Sequence, residues 1–282
     1  FIGDNLSVIY DFLCTDLIQK IIKSFGVRMN FYEKYIFDYI PDNDTSIIYF
    51  HSCAAPLNGS YTIGGATYDF ATIKEAVNAF VQCGISGPIE FTVASGIYNE
   101  QIEIPDVVGS SATNTITFKS ATGDSTDVVL TYNAISSSNY TLKLVGTDFI
   151  TFKEMTIKST DTANANVVVL ANGSHDVTIQ NCIIMTDSNI IGGDVTRSLI
   201  STKDSVGSNI HILNNVLTNG SWAVQLNNPA NSMTGWKVNN NIIHGHFMRA
   251  ITLENAASAE VIGNDIEAST TSNADAYNGI RL

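Results

Sequence analysis

In the second half of the chain the apolar and polar positions repeat in a short phrase. The copies are Phe152-Lys-Glu-Met-Thr-Ile157, Ile179-Gln-Asn-Cys-Ile-Ile184, Ile212-Leu-Asn-Asn-Val-Leu217, Val238-Asn-Asn-Asn-Ile-Ile243 and Ile262-Gly-Asn-Asp-Ile-Glu267. They start 27, 33, 26 and 24 residues apart. A second series, Leu144, Leu170, Ile200, Leu226, Leu253 and Leu282, closes short alternating stretches such as Tyr140-Thr-Leu-Lys-Leu144 and Ala250-Ile-Thr-Leu253. Alternation turns one side of each stretch inward. Val, Ile and Thr are frequent, and Asn or Gly interrupts every stretch before three helical turns could form. Three short strands per unit, each unit burying its apolar face only by stacking on the next, predict a right-handed parallel β-helix over residues 88–282.

Of 28 asparagines, 19 lie after residue 160, where the repeats are cleanest, so asparagine belongs to the repeat. Asn181, Asn214, Asn240 and Asn264 fall at one place, the corner between the second and third strands. Asn tolerates a left-handed backbone there, and stacked corners let one side chain bond the next. The expectation is a structural ladder of these four side chains.

Upstream, Phe70, Ile73, Val77, Phe80 and Val81 share one face of a helix predicted over Asp69 to Val81. Asp69 stands as N-cap, Thr72 and Glu75 have capping-box spacing, and Gly84 is a stop. Residues 54–87 are thus a lead-in whose helix covers the open end of the solenoid. Ile89 to Val93, Gln101 to Ile104, Thr115 to Lys119 and Val128 to Tyr132 are expected to form a first, less regular coil.

Ala55-Pro-Leu-Asn-Gly-Ser-Tyr-Thr-Ile-Gly-Gly65, the helix, and Gly96-Ile-Tyr-Asn-Glu-Gln-Ile-Glu-Ile104 resemble the beginning of secreted bacterial right-handed β-helix proteins of the pectin-lyase-like fold. The helix followed by Gly-x-Tyr-x-Glu-x-Ile is similar to the start of pectin methylesterases. The resemblance covers residues 55–282 and implies the fold. This scaffold hosts lyases, hydrolases, esterases and adhesins, so an activity does not follow.

Residues 1–53 fall outside the pattern. Leu6, Ile9, Leu13, Leu17, Ile21 and Phe25 have helical spacing, and Tyr35 to Phe50 is aromatic. Ser52-Cys53-Ala54-Ala55 resembles a signal-cleavage region, but Asp38, Pro41, Asp42 and Asp44 interrupt the apolar stretch that should precede it. The segment reads as an appendage or a misread signal region. The chain opens on Phe and stops at Gly279-Ile-Arg-Leu282, which suggests a fragment whose β-helix is truncated at its C-terminal end.

A formal charge of −13 argues against nucleic acid or an anionic membrane as partner. No apolar stretch is long enough to span a bilayer. Cys14, Cys53, Cys83 and Cys182 have neither metal-ligand nor framework spacing. Cys182, beside the asparagine corner, reads as a small filling residue.

Hydrolysis of a glycosidic bond needs two carboxylates at fixed separation. The strands ending near Leu170, Ile200, Leu226, Leu253 and Leu282 carry no Asp or Glu. Asp194, Asp204 and Glu254 lie just outside them. His244-Gly-His246 places two imidazoles on one side of an extended segment without a matching third ligand, so no metal and no cofactor are expected. Asp124, Asp127, Asp161, Asp187 and Asp194 could offer oxygens to Ca²⁺ but do not recur with the repeat and read as loop acids. Arg197, Trp222 and Arg249, spaced 25 and 27 apart, are the candidate carbohydrate-binding set. An exposed Trp offers a flat surface to a sugar ring, and flanking Arg pairs with carboxylates of an acidic glycan. Trp236 reads as a core residue. The expectation is a secreted or cell-surface structural and binding module contacting polysaccharide. The alternative is a polysaccharide-active lyase, esterase or hydrolase.

Overall fold

The computed structural model describes residues 28–31, 35–39, 46–50, 55–187, 195–228, 233–269 and 278–282. The chain divides into two compact units, Phe1–Ala55 and Pro56–Leu282. In the first, Arg28–Phe31, Tyr35–Tyr39 and Ser46–Phe50 pair antiparallel in chain order. The helical pattern of Leu6 to Phe25 lies outside the described residues, as do Cys14 and Cys53.

The second unit is a right-handed parallel β-helix, and each coil gives one strand to each of three sheets. Sheet I holds Leu57–Ile63, Ile85–Val93, Ile116–Ser120, Asp148–Lys153, His175–Gln180, Ile210–Leu213, Trp236–Asn239 and Ala259–Ile262. Sheet II holds Gly96–Asn99, Val128–Tyr132, Thr156–Ser159, Ile183–Thr186, Val216–Thr218, Ile242–His246 and Asp265–Ala268. Sheet III holds Ile102–Pro105, Leu142–Val145, Val168–Ala171, Ser198–Lys203, Trp222–Asn227, Arg249–Glu254 and Asn278–Arg281. The segments expected to make one irregular coil belong to two regular ones, and Gly96–Asn99 supplies the strand that the sequence pattern concealed.

Alternation becomes stacked columns because parallel pairing holds the register. Phe91, Phe118, Phe152, Ile179, Ile212, Val238 and Val261 form one inward column of sheet I. Its three phenylalanines stack with centroids 4.7 and 5.2 Å apart. Two frames differ from the expectation. Val261, not Ile262, pairs with Val238, so the fifth copy of the phrase begins one residue earlier. Ile200 pairs with Val168 and Val224, while Leu170 pairs with Thr202. A slip of two residues keeps the same side inward, which is why alternation alone could not detect it.

Helix α1 spans Ile73–Cys83, four residues later at its start than predicted, because Thr72 is the N-cap and accepts from the Glu75 N–H. Asp69 instead accepts from the Thr62 N–H and hydroxyl at 2.7 and 2.8 Å, which hold its carboxyl below the usual range, the backbone bond most. Gly84, at φ 69, ends the helix with its N–H on the Phe80 carbonyl. Ile73, Ala76, Val77 and Phe80 are buried, and the Phe80 ring lies 5.7 Å from Phe91 and 6.2 Å from Phe118. The helix therefore covers the first end of the apolar interior. Burying Phe80 alone is worth about 1.5–3 kcal/mol. Glu100 of the Gly-x-Tyr-x-Glu-x-Ile segment accepts from the Ile73 and Lys74 N–H groups at 3.3 and 2.7 Å. The Tyr98 hydroxyl donates to the Ala94 carbonyl at 2.9 Å. That segment fixes the cap to the first coil.

Candidate functional site

The corner between sheets I and II carries two asparagine columns, one residue apart. Asn181, Asn214 and Asn240 have φ of 54°, 54° and 55° and are exposed. Gly263 continues that column at φ 67°, where a Cβ would collide with the Asn240 Oδ1. The bonded stack is the next column, Cys182, Asn215, Asn241 and Asn264. Asn215 Nδ2 donates to Asn241 Oδ1 at 3.1 Å, and Asn241 Nδ2 donates to Asn264 Oδ1 at 2.9 Å. Each Oδ1 also accepts the backbone N–H one coil back, from Cys182, Asn215 and Asn241, at 2.9 Å in every case. The predicted ladder is thus corrected. Asn181, Asn214 and Asn240 stand outside the stack and only Asn264 is in it, because a left-handed residue points outward and the residue after it points in.

The carbohydrate-binding set is rearranged as well. Trp222 and Arg249 are register partners on sheet III, with the guanidinium 4.3 Å from the centre of the indole. Arg197 is one residue out of that row, where Ser198 pairs with Trp222, and its Nε donates to the Ala163 carbonyl at 3.3 Å. Trp222 is only 8% exposed, and it shares a strand side with the fully buried Val224 and Leu226. The expected open platform is therefore absent: the indole is buried, and Arg249 lies against one side of it. Trp236 is buried, as read, and its Nε1 donates to the Gly207 carbonyl at 2.8 Å.

His244 and His246 do not share a side, because the pairing register shifts between them. His246 is buried, and burial, then His244, pushes its imidazole down to about 4. Among the described residues no group of three His, Cys, Asp or Glu side chains is placed to hold a metal ion. Cys83 is disulfide-bonded. Cys182 is a free, buried thiol whose pKa is pushed up to about 12 by burial, so it is inert at neutral pH. Glu254 lies 3.6 Å from Arg281, Asp187 pairs with Lys158, and Asp161 accepts from the Ala163 N–H at 2.7 Å. Asp204 sits at a left-handed turn, and Asp194 is outside the described residues.

Two clefts open on corners. At the corner from sheet III to sheet I, His175 Nδ1 lies 2.7 Å from Asp176 Oδ2, and Nε2 lies 3.6 Å from Asp148 Oδ2. Ser110 Oγ donates to Asp148, and Asn209 Nδ2 donates to Asp176 Oδ1 at 2.8 Å. His175 and Asp176 line a cleft of about 460 Å³ together with Ser205, Ser208 and Met233 among others. Sequence reasoning passed over them because none recurs from copy to copy. The second cleft, about 470 Å³, lies between the asparagine corner and the loop after Ile116–Ser120. Thr122, Asp124, Ser125, Asn181, Asn214 and Val216 line it. The loop is tied down. Thr122 Oγ1 donates to Asp127 at 2.7 Å, Thr126 gives both its N–H and its hydroxyl to Asp124 at 2.8 Å, and Thr156 Oγ1 donates to the Ser125 carbonyl at 2.7 Å. The Thr126 donors, the backbone one most, hold the Asp124 carboxyl below its usual range, so it is ionised at neutral pH.

No protein-family model matches the chain. No curated protein matches it. Among solved structures, the pectin methylesterase from Aspergillus niger in deglycosylated form is similar at 15% identity and a TM-score of 0.42, covering 79% of this chain and 90% of that one. The same enzyme in penultimately deglycosylated form is similar at 15% identity and a TM-score of 0.42, covering 82% and 92%. Likeness of that degree carries nothing about activity to this chain.

Proposed function

We propose that this chain is a secreted or cell-surface β-helix module that contacts polysaccharide and does not turn it over. The observation that carries the reading is the outward column Asn181, Asn214 and Asn240. It presents one amide per coil, about 4.8 Å apart, on a rigid scaffold. A periodic row of paired donors and acceptors suits a periodic polymer of hydroxyl groups. A disulfide at Cys83 supports an oxidising compartment. The net charge of −13 disfavours nucleic acid and anionic membranes as the partner.

The test is depletion of the purified chain by insoluble plant, fungal and bacterial polysaccharides, with the same mixtures assayed for reducing ends, methanol and unsaturated uronate. Retention without product is expected. Release of product at a rate proportional to protein would overturn the reading in favour of the enzyme alternative. That second reading has one observation of its own, the Asp148, His175 and Asp176 cluster beside a cleft, which holds acid and base groups within 4 Å of each other.

A further inference from the structure

We infer that the cleft between the asparagine corner and the Thr122–Ser125 loop is a subsite for one unit of a neutral glycan. This rests on the glycan-contact reading and names the place and the chemical class. Asn181 and Asn214 occupy successive coils at the same backbone angle, are exposed, and have amides that bond no protein group among the described residues. Each amide offers an acceptor and two donors, the complement of vicinal hydroxyls. Opposite them stand the Asp124 carboxylate and the Thr122 hydroxyl, and Val216 supplies an apolar patch. The depression, of about 470 Å³, is open and mostly polar, a form that suits one ring of a hydroxyl-bearing polymer lying on the surface.

The loop that closes the cleft is pre-ordered by its own hydrogen bonds, so little conformational freedom is lost when it is filled. The charge in the cleft decides the ligand class. Asp124 is ionised, and no Lys or Arg lines the cavity. A uronate or a phosphate would meet repulsion there, whereas a carboxylate accepts bonds from sugar hydroxyls. The outward column continues at Asn240, but that residue does not line the cavity, so its loss should cost less than loss of the two cleft amides.

The left-handed backbone makes the test clean. Glycine adopts φ near +54° without strain, so Asn181→Gly and Asn214→Gly remove the amides and leave the corner in place. The full chain is titrated by calorimetry and by side-chain amide NMR with cellohexaose, xylohexaose, mannohexaose and maltohexaose, and with trigalacturonate as the charged probe. At least one neutral oligosaccharide is expected to bind and to shift the Asn181 and Asn214 amide resonances. The double glycine variant should bind it about tenfold or more weakly with its melting temperature kept, and Asn240→Gly, outside the cleft, should weaken binding less than the double variant does. Undiminished binding by the double variant overturns the cleft assignment and leaves the glycan reading standing. Binding of trigalacturonate alone overturns the neutral class. Binding of none of the five overturns both.

Discussion

Replacing Asn241 by Ala should unfold the solenoid far more readily than replacing its neighbour Asn240 by Gly. Asn241 is fully buried. Its Oδ1 accepts from Asn215 N–H at 2.9 Å and from Asn215 Nδ2 at 3.1 Å. Its Nδ2 donates to the Ile212 carbonyl and to Asn264 Oδ1, both at 2.9 Å. Alanine deletes all four bonds and strands the buried Asn215 and Ile212 groups, while the half-buried Asn264 can turn to water. A typical buried bond is worth about 0.5–1.5 kcal/mol net, and a stranded buried partner costs about 1–3 kcal/mol. Allowing for relaxation, about 3–5 kcal/mol is expected, a fall in melting temperature of about 6–20 °C for a domain of this size. Asn240 is exposed at φ 55°, a conformation that costs an ordinary residue about 1–2 kcal/mol and glycine nothing. Asn240→Gly should therefore melt within about 2 °C of the parent, and Asn240→Ala should fall by about 1 kcal/mol. Thermal unfolding by circular dichroism measures the ranking. Amide hydrogen exchange at Asn215, whose N–H would lose its acceptor, reports the local effect even if coils open separately. Equal melting temperatures for Asn241→Ala and Asn240→Gly, with Asn215 still protected, would refute the assignment of the stack.

Three further outcomes follow from the same geometry. Cys182 occupies the stack with its Sγ 3.6 Å from the Phe152 carbonyl, the place where Asn215 and Asn241 direct Nδ2 one coil later, so Cys182→Asn should stabilise by about 1 kcal/mol; an unchanged or lower urea midpoint would count against this. Glu100→Ala should cost about 1–2 kcal/mol by uncovering two helix N-terminal N–H groups, with Glu100→Gln intermediate, and proteolysis should then nick α1 first; equal resistance in all three proteins would sink the idea. His246 has a folded pKa of about 4, below the roughly 6.5 of an unfolded chain, so its contribution is complete above about pH 6.5 and drains away as pH falls toward 4, by about 1–3 kcal/mol after allowing for screening; His246→Asn should flatten that part of the profile, and a parallel profile would exclude the histidine as its cause.

The period, the strand alternation and the capping helix were legible in the sequence because each rests on local signals that tertiary packing reinforces. Phe152, Ile179, Ile212 and Val238 recur at like positions, and parallel pairing turns recurrence directly into register. The start of α1 was not legible. Asp69 and Thr72 are both good caps, and what separates them is the return of Asp69 to Thr62 across a turn. The openness of Trp222 was not legible either. Trp222 stands two and four residues before the buried Val224 and Leu226, so alternation puts it on their side of the strand, and a tryptophan at the start of a strand does not reveal by type alone whether it is open or buried. The His175 cluster left no sequence signal because Asp148 and the His175-Asp176 pair come from successive coils and meet only through the register of sheet I.

The asparagine corner shows most sharply where sequence reasoning ends. Asn214-Asn215 and Asn239-Asn240-Asn241 offer the same residue type to adjacent positions, so composition cannot tell the inward stack from the outward column. The fifth copy misleads in addition, because Val261 and Ile262 are both apolar and either could open the phrase. Backbone conformation resolves the two. The left-handed residue throws its side chain into solvent, and the next residue turns its own under the preceding coil. Stability and surface chemistry are thereby assigned to neighbouring positions. In the inward column the loss of an amide is costly where both neighbouring coils bond to it, as at Asn241, whereas Cys182 holds the end of the stack without one. The outward column needs only a residue that accepts positive φ, for which glycine suffices, as Gly263 demonstrates. Asparagine meets that need as well, and at Asn181, Asn214 and Asn240 it leaves an amide on the surface, where a ligand can reach it.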